Sequence, residues 1–286
     1  MLPNPDSKAT TSSSVGENSS DDGVMSVADA IANLQQTADT SLRYYAAWWL
    51  GKFRVSTPEA IAALLTALED ESDRAPDGGY PLRRNAARAL GKLDDPRIVP
   101  ALIAHLEDPD FYVREAAAQS LEMQGRSQAI PPLLKLLEGG VEAAQPVPGK
   151  PHLTEPYEAI IEALGTLNAI EAITAIEPFL GHSVAKVKYA AARAMYQLTQ
   201  KDEYGQQLIA ALRDPNLQLR RSALMDLGAV GYLKAADAIA GAFAENSLKL
   251  ISLKGLLEQA LNAENPDAVT LSEDSIHLMQ LMDGLL

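Results

Sequence analysis

One short pattern returns seven times along this chain, and its spacing constrains the fold more than any other feature. It runs apolar, usually basic, two variable positions, two small residues, and a closing Leu or Met after two further positions. It reads LRYYAAWWLG from Leu42, LRRNAARALG from Leu82, VREAAAQSL from Val113 and VKYAAARAM from Val187, with poorer copies from Pro156, Leu219 and Leu248. The second slot holds Arg43, Arg83, Arg114, Tyr157, Lys188, Arg220 and Lys249, at successive gaps of 40, 31, 43, 31, 32 and 29 residues. A recurrence near thirty residues marks helical hairpins that bury their apolar faces only by stacking. The expectation is an all-α, crescent-shaped α-solenoid of about seven hairpins over residues 25–286, a single domain with one long concave face.

Composition narrows what such a face can bind. Of the 286 residues, 47% are hydrophobic but only 5% aromatic, and 38 acidic against 24 basic side chains give a formal charge of −14. That balance repels phosphate, so neither nucleic acid nor a membrane surface is an expected partner. With no cysteine, disulfides, thiolate metal sites and a thiol nucleophile are excluded, and a reducing, cytoplasmic setting fits. The four histidines lack metal-ligand spacing, so no metal is expected. No run of 18 apolar residues occurs. Residues 1–24, rich in Ser, Asn, Asp and Gly, are expected to be a disordered tail.

Ser26 is positioned to cap a first helix, with Asp29 three residues on. Outer helices are expected near Pro58, Pro96, Ala129, Ala172, Tyr204 and Ala236, and Gly51, Gly91, Gly165 and Gly228 are expected to end inner helices. Two gaps are long: Glu69 to Pro81 and Gly139 to Pro156. Both fall between an outer and an inner helix, hence on one rim, where repeat proteins place recognition.

Counted from the first apolar residue of each inner helix, positions 0, 4, 5 and 8 share one buried arc. Positions 2, 3 and 6 then face the concavity: Tyr44, Tyr45 and Trp48 in the first copy, Arg84, Asn85 and Arg88 in the second, Tyr189, Ala190 and Arg193 in the fifth. Exposed rings suit either a flat conjugated ligand or a partner hot spot. The guanidinium groups suit carboxylates. Arg43, Arg83, Arg114, Lys188 and Arg220 are assigned to a structural ladder, with Asp108 paired to Arg114 and Asp214 to Arg220. Ligand contacts are sought at Arg84, Arg88 and Arg193. Asp73 and Asp77, in the first insertion, are the candidate proton donors, a role that requires burial to raise their pKa.

Longer strings carry a specific resemblance. RYYAAWWLGKFRV, EDESDRAPDGGYPLRRNAARALGKL, DFYVREAAAQSLEM and YAAARAMYQLT, with NLQLRRSALMDLGAVGYL and ENSLKLISLKGLLE toward the C-terminus, resemble the E subunits of the heterodimeric E/F-type phycocyanobilin lyases. The resemblance implies HEAT-like hairpin repeats and an F-type partner subunit. It implies covalent attachment of phycocyanobilin, a linear tetrapyrrole with propionate tails, to a cysteine of the apo-phycocyanin α subunit through a thioether. It implies no permanently bound cofactor, phycocyanobilin being substrate. A non-catalytic helical-repeat adaptor and a lyase for another phycobiliprotein are the alternatives. In the last copy the outward slots hold Leu250, Ile251 and Lys254, so the C-terminal third is expected to meet the partner, with Ser275 to Leu286 as a cap.

Overall fold

The structure, a computed structural model, describes residues 25–263 and 270–286. The tail expected at residues 1–24 lies outside the described residues. Seven inner helices form where the pattern recurs: Thr40–Lys52, Pro81–Leu90, Phe111–Gln124, Tyr157–Thr166, Ala185–Thr199, Leu217–Val230 and Asn246–Ala263. They stack in chain order, each backed by an outer helix. The capping box at Ser26 and Asp29 opens the first outer helix, Val27–Gln35. Several of the outer elements farther along are shorter and partly 3-10. Ile130–Lys135, for example, carries Pro131 and Pro132 at its start, where a missing N–H costs nothing. Among the described residues the one β feature is an isolated bridge between Pro146 and Leu153. No described helix is long and apolar enough to cross a membrane.

The arc read from the pattern is buried in the second, third and fifth copies, through Leu82, Val113 and Val187 and their Ala and Leu or Met partners. Leu42 departs from it and is exposed. Its helix opens the inner row, so its first turn has no earlier inner helix to pack upon. Three of the four repeat glycines differ from expectation, while Gly91 ends its helix as expected. Gly51, Gly165 and Gly228 lie inside their helices, and Gly91 caps its helix with right-handed backbone. A Cβ on Gly51 would sit 2.7 Å from Ala89 Cα, and on Gly228 2.8 Å from Ser252 Cα. These glycines are notches that let the next inner helix approach.

The ionic ladder runs forward. Arg43 Nη2 donates to Asp70 Oδ2 at 2.7 Å, Arg83 Nη1 to Asp108 Oδ2 at 2.9 Å, and Arg114 Nε to Glu155 Oε2 at 2.8 Å. Each guanidinium thus takes a carboxylate from the loop leading into the next inner helix. The expected Asp108–Arg114 and Asp214–Arg220 pairs are corrected to backbone contacts: Arg114 and Arg220 donate to the carbonyls of Asp108 and Asp214, at 2.8 and 2.7 Å. The side chain reaches back only far enough for the main chain of its own turn. At the C-terminus, helix Glu273–Asp283 covers the last inner helix and buries Leu278, as the cap requires. Ile251 and Lys254 remain exposed.

Candidate functional site

The first inner helix presents an aromatic step. Tyr45 and Trp48 are each 48% exposed, with ring centroids 5.5 Å apart. Trp49 instead packs against Phe53 and the core. Tyr44 is half-buried, its hydroxyl donating to Asp73 Oδ2 at 2.6 Å. Burial first, then the bond to Asp73, pushes the Tyr44 phenol up to about 12. Two residues expected at separate tasks, a ring contact and a proton donor, therefore satisfy each other. Asp73 is only 8% exposed because the first insertion folds down onto this helix, and its own N–H donates to Asp70 Oδ1.

One repeat along stand Arg84 and Arg88. The Arg84 guanidinium lies over the Tyr112 ring, 5.5 Å from its centroid, and its Nε is buried without a partner. Arg88 is exposed, while partial desolvation and then the neighbouring Arg84 lower its pKa against the opposing pull of Glu115. Among the described residues neither guanidinium makes an ion pair. Two unneutralised cations side by side are suited to an anionic ligand.

Arg193 departs from the expectation of a free cation. Its side chain, 14% exposed, meets Glu122 at 3.0 Å, Asp226 at 3.5 Å and Glu162 at 3.7 Å, so three carboxylates from the third, fourth and sixth inner helices surround it. An anion has no place there. Burial drives the Glu162 carboxyl up to about 8 and Asp226 up to about 6. Arg193 restrains both, and the surrounding carboxylates add to the rise. Glu158 is raised too, by burial first, with Lys186 at 3.7 Å opposing. Tyr189 lines the same small pocket, and its hydroxyl donates to Asp214 Oδ2 at 3.2 Å. Glu162 occupies position 6 of its copy, the slot of Trp48, Arg88 and Arg193. Periodicity therefore placed it on the inner face, but could not show that neighbouring helices would keep it protonated near neutral pH.

The two insertions meet on one rim, as expected. They form a cleft of about 360 Å³ with Asp77, Gly78 and Gly79 on one wall, Val147 and Lys150 to His152 on the other, and Phe111 and Tyr112 between. Asp77 is exposed, one carboxylate oxygen accepting from Gly79 N at 3.2 Å. The His152 ring stacks on Phe111 at 4.0 Å and meets Tyr112 edge-on at 5.9 Å. Sequence reasoning missed Phe111, Tyr112 and His152; the aromatic doublet opening the third inner helix was the available signal. Among the described residues no group of His, Cys, Asp or Glu is arranged to hold a metal ion.

Family models place this architecture. The HEAT repeat model matches residues 74–143, and the PBS lyase HEAT-like repeat model matches residues 42–70 and 187–214. The chain is 64% identical over 258 residues to phycocyanobilin lyase subunit alpha of Picosynechococcus sp., covering 90% of this chain and 95% of that one. It is 62% identical over 257 residues to the protein of the same description from Nostoc sp., covering 90% and 92%. Among solved structures it matches a chain of the complex of CpcE and CpcF of phycocyanin lyase from Nostoc sp. PCC7120. There the TM-score is 0.84 at 58% identity, over 96% of this chain and all 100% of the other.

Proposed function

Because the chain belongs to the family of phycocyanobilin lyase alpha subunits, we propose that, with an F-type partner subunit, it attaches phycocyanobilin to a cysteine of the apo-phycocyanin α subunit. One observation carries the reading: the first, second and fourth inner helices carry, in turn, an aromatic step, an unpaired guanidinium pair and a carboxyl raised to about 8. Tyr45 and Trp48 offer ring faces to a conjugated chain, and Arg84 with Arg88 offer paired donors to its propionates. Glu162 can keep a conjugated nitrogen protonated, which makes the double bond more electrophilic. Thiol addition across a carbon–carbon double bond forms one C–S and one C–H bond and releases nothing. Holding the bilin extended and dry then supplies much of the rate, up to roughly 7–11 kcal/mol in ideal systems. Asp73 and Asp77 are less suited to donate the proton, the first being closed in by Tyr44 and the second being exposed.

The test is co-expression with an F-type partner, phycocyanobilin and the apo α subunit. Red fluorescence on the α subunit that survives acid-urea denaturation is the expected result. Its absence, with the two subunits still assembled, returns the chain to the adaptor class.

A further inference from the structure

We propose that the rim cleft between the two insertions is where the acceptor thiol meets the bilin, and that His152 is the base that takes the thiol's proton. This rests on the lyase reading above. The cleft is built, not incidental. Its second wall is a small hairpin, with Val147 N donating to His152 O at 3.0 Å and Thr154 N to Gln145 O at 3.0 Å. Arg114 ties that wall to the third inner helix through Thr154 O at 2.8 Å. The first wall is fastened by Asp110, whose carboxylate accepts from Tyr80 N at 2.7 Å and Tyr112 N at 2.9 Å.

His152 is held in one tautomer. Its Nδ1 lies 2.7 Å from Leu153 O, a carbonyl that can only accept, so Nδ1 carries the hydrogen and Nε2 keeps a free lone pair. Nε2 has no hydrogen-bond partner among the described residues. His105 and His182 differ, since both of their nitrogens are engaged. Stacking on Phe111 fixes the ring plane while the cleft leaves its edge accessible. Lys150, Asp77, Asp110, Arg114 and Tyr112 line the same cleft. Arg84, over the Tyr112 ring, joins the cleft to the inner face, so a bilin lying along Arg84 and Arg88 brings one end ring to it.

The step balances. The S–H proton passes to Nε2, and sulfur bonds the outer carbon of the double bond as its π bond opens. The ring carbon then takes a proton from water while the imidazolium releases its own to solvent, neither step limiting the rate. Nothing leaves and nothing is oxidised. A base in this role contributes roughly 10²–10⁴-fold.

The experiment uses the assembled heterodimer loaded with phycocyanobilin and measures single-turnover transfer to apo α subunit across pH for wild type and His152→Gln. At about pH 7 the variant should be roughly a hundredfold slower, and the gap should close above about pH 9, where a cysteine of pKa about 8.5 ionises unaided. Non-covalent bilin absorbance should be unchanged. A small aryl thiol already ionised at neutral pH should add equally fast to both proteins. An unchanged rate, a deficit constant with pH, equal slowing with the aryl thiol, or loss of bilin binding in the variant would each overturn the assignment to His152. A wild-type complex that transfers no bilin sinks the parent reading instead.

Discussion

Removing the Arg193 guanidinium should destabilise the array in a strongly pH-dependent way, and the sign follows from the groups around it. Arg193→Met keeps the stem but leaves Glu122, Glu162 and Asp226 without their shared cation. Deleting one partner of a buried ion pair costs about 3–5 kcal/mol, because the opposite charge stays buried and unpaired. Here the stranded groups can escape by holding protons. Folded Glu162 titrates near 8 and Asp226 near 6, against about 4.3 and 3.9 in an unfolded chain. The folded state therefore binds more protons across that window, and stability falls as pH rises from about 4 to about 8. Without Arg193 both pKa values climb further, so the variant loses more over the same range. Urea unfolding followed by far-UV circular dichroism should show a deficit of about 1 kcal/mol or less near pH 4.5, growing to about 3–5 kcal/mol near pH 8.5. A deficit equal at both ends, or a variant more stable at high pH, would refute the reasoning.

Other outcomes are expected. Trp48→Ala, or Arg84→Ala with Arg88→Ala, should weaken bilin binding while leaving the unfolding midpoint within about 0.5–1 kcal/mol of wild type, since these groups are exposed or unpaired; unchanged bilin difference spectra would count against the inner-face site. Glu162→Gln should leave bilin bound but slow its attachment, and should flatten the fall of stability between about pH 5 and pH 8; titration of both readouts checks this. Gly228→Ala should cost about 1–3 kcal/mol by overpacking against Ser252, outweighing the roughly 1 kcal/mol that Ala gains over Gly in a helix; a raised melting temperature would remove the notch argument. Ile251→Asp, on the face of the last inner helix that the C-terminal cap leaves exposed, should abolish co-purification with the F-type subunit, and persistence of the pair would move that interface elsewhere.

How much of this was legible beforehand depended on whether a feature is local. The hairpin period and the shared rim of the two insertions are properties of spacing and appear in the fold. So does the inner-helix register, except that Leu42 of the buried arc is exposed and Ala190, expected on the concave face, is buried beneath its neighbours. The Ser26 cap is equally local. The misses are contacts between repeats. Asp108 pairs with Arg83 across 25 residues, not with Arg114 six residues on, because a chain neighbour need not be the nearest reach for a long side chain. Gly51 resembles a helix terminator until Ala89 is seen pressed against it. Arg193 resembles Arg88 in register, yet carboxylates from three helices converge only on the former. Single-residue patterning cannot distinguish the two, because the difference lies in what the adjoining hairpins contribute. His152 carried no periodic mark, and its free lone pair depends on the carbonyl one residue along.

The forward reach of Arg43, Arg83 and Arg114 means that the unit of cohesion is offset from the unit of repetition. Excising one outer–inner hairpin, residues 58–90, would cut both the Arg43–Asp70 and the Arg83–Asp108 clasps and leave Arg43 facing Asp108, which was never its partner. Lengthening or shortening such a protein by whole copies therefore keeps every clasp intact only when the cut runs from one inner-helix motif to the next, in phase with the sequence pattern and half a period out of phase with the helical hairpin.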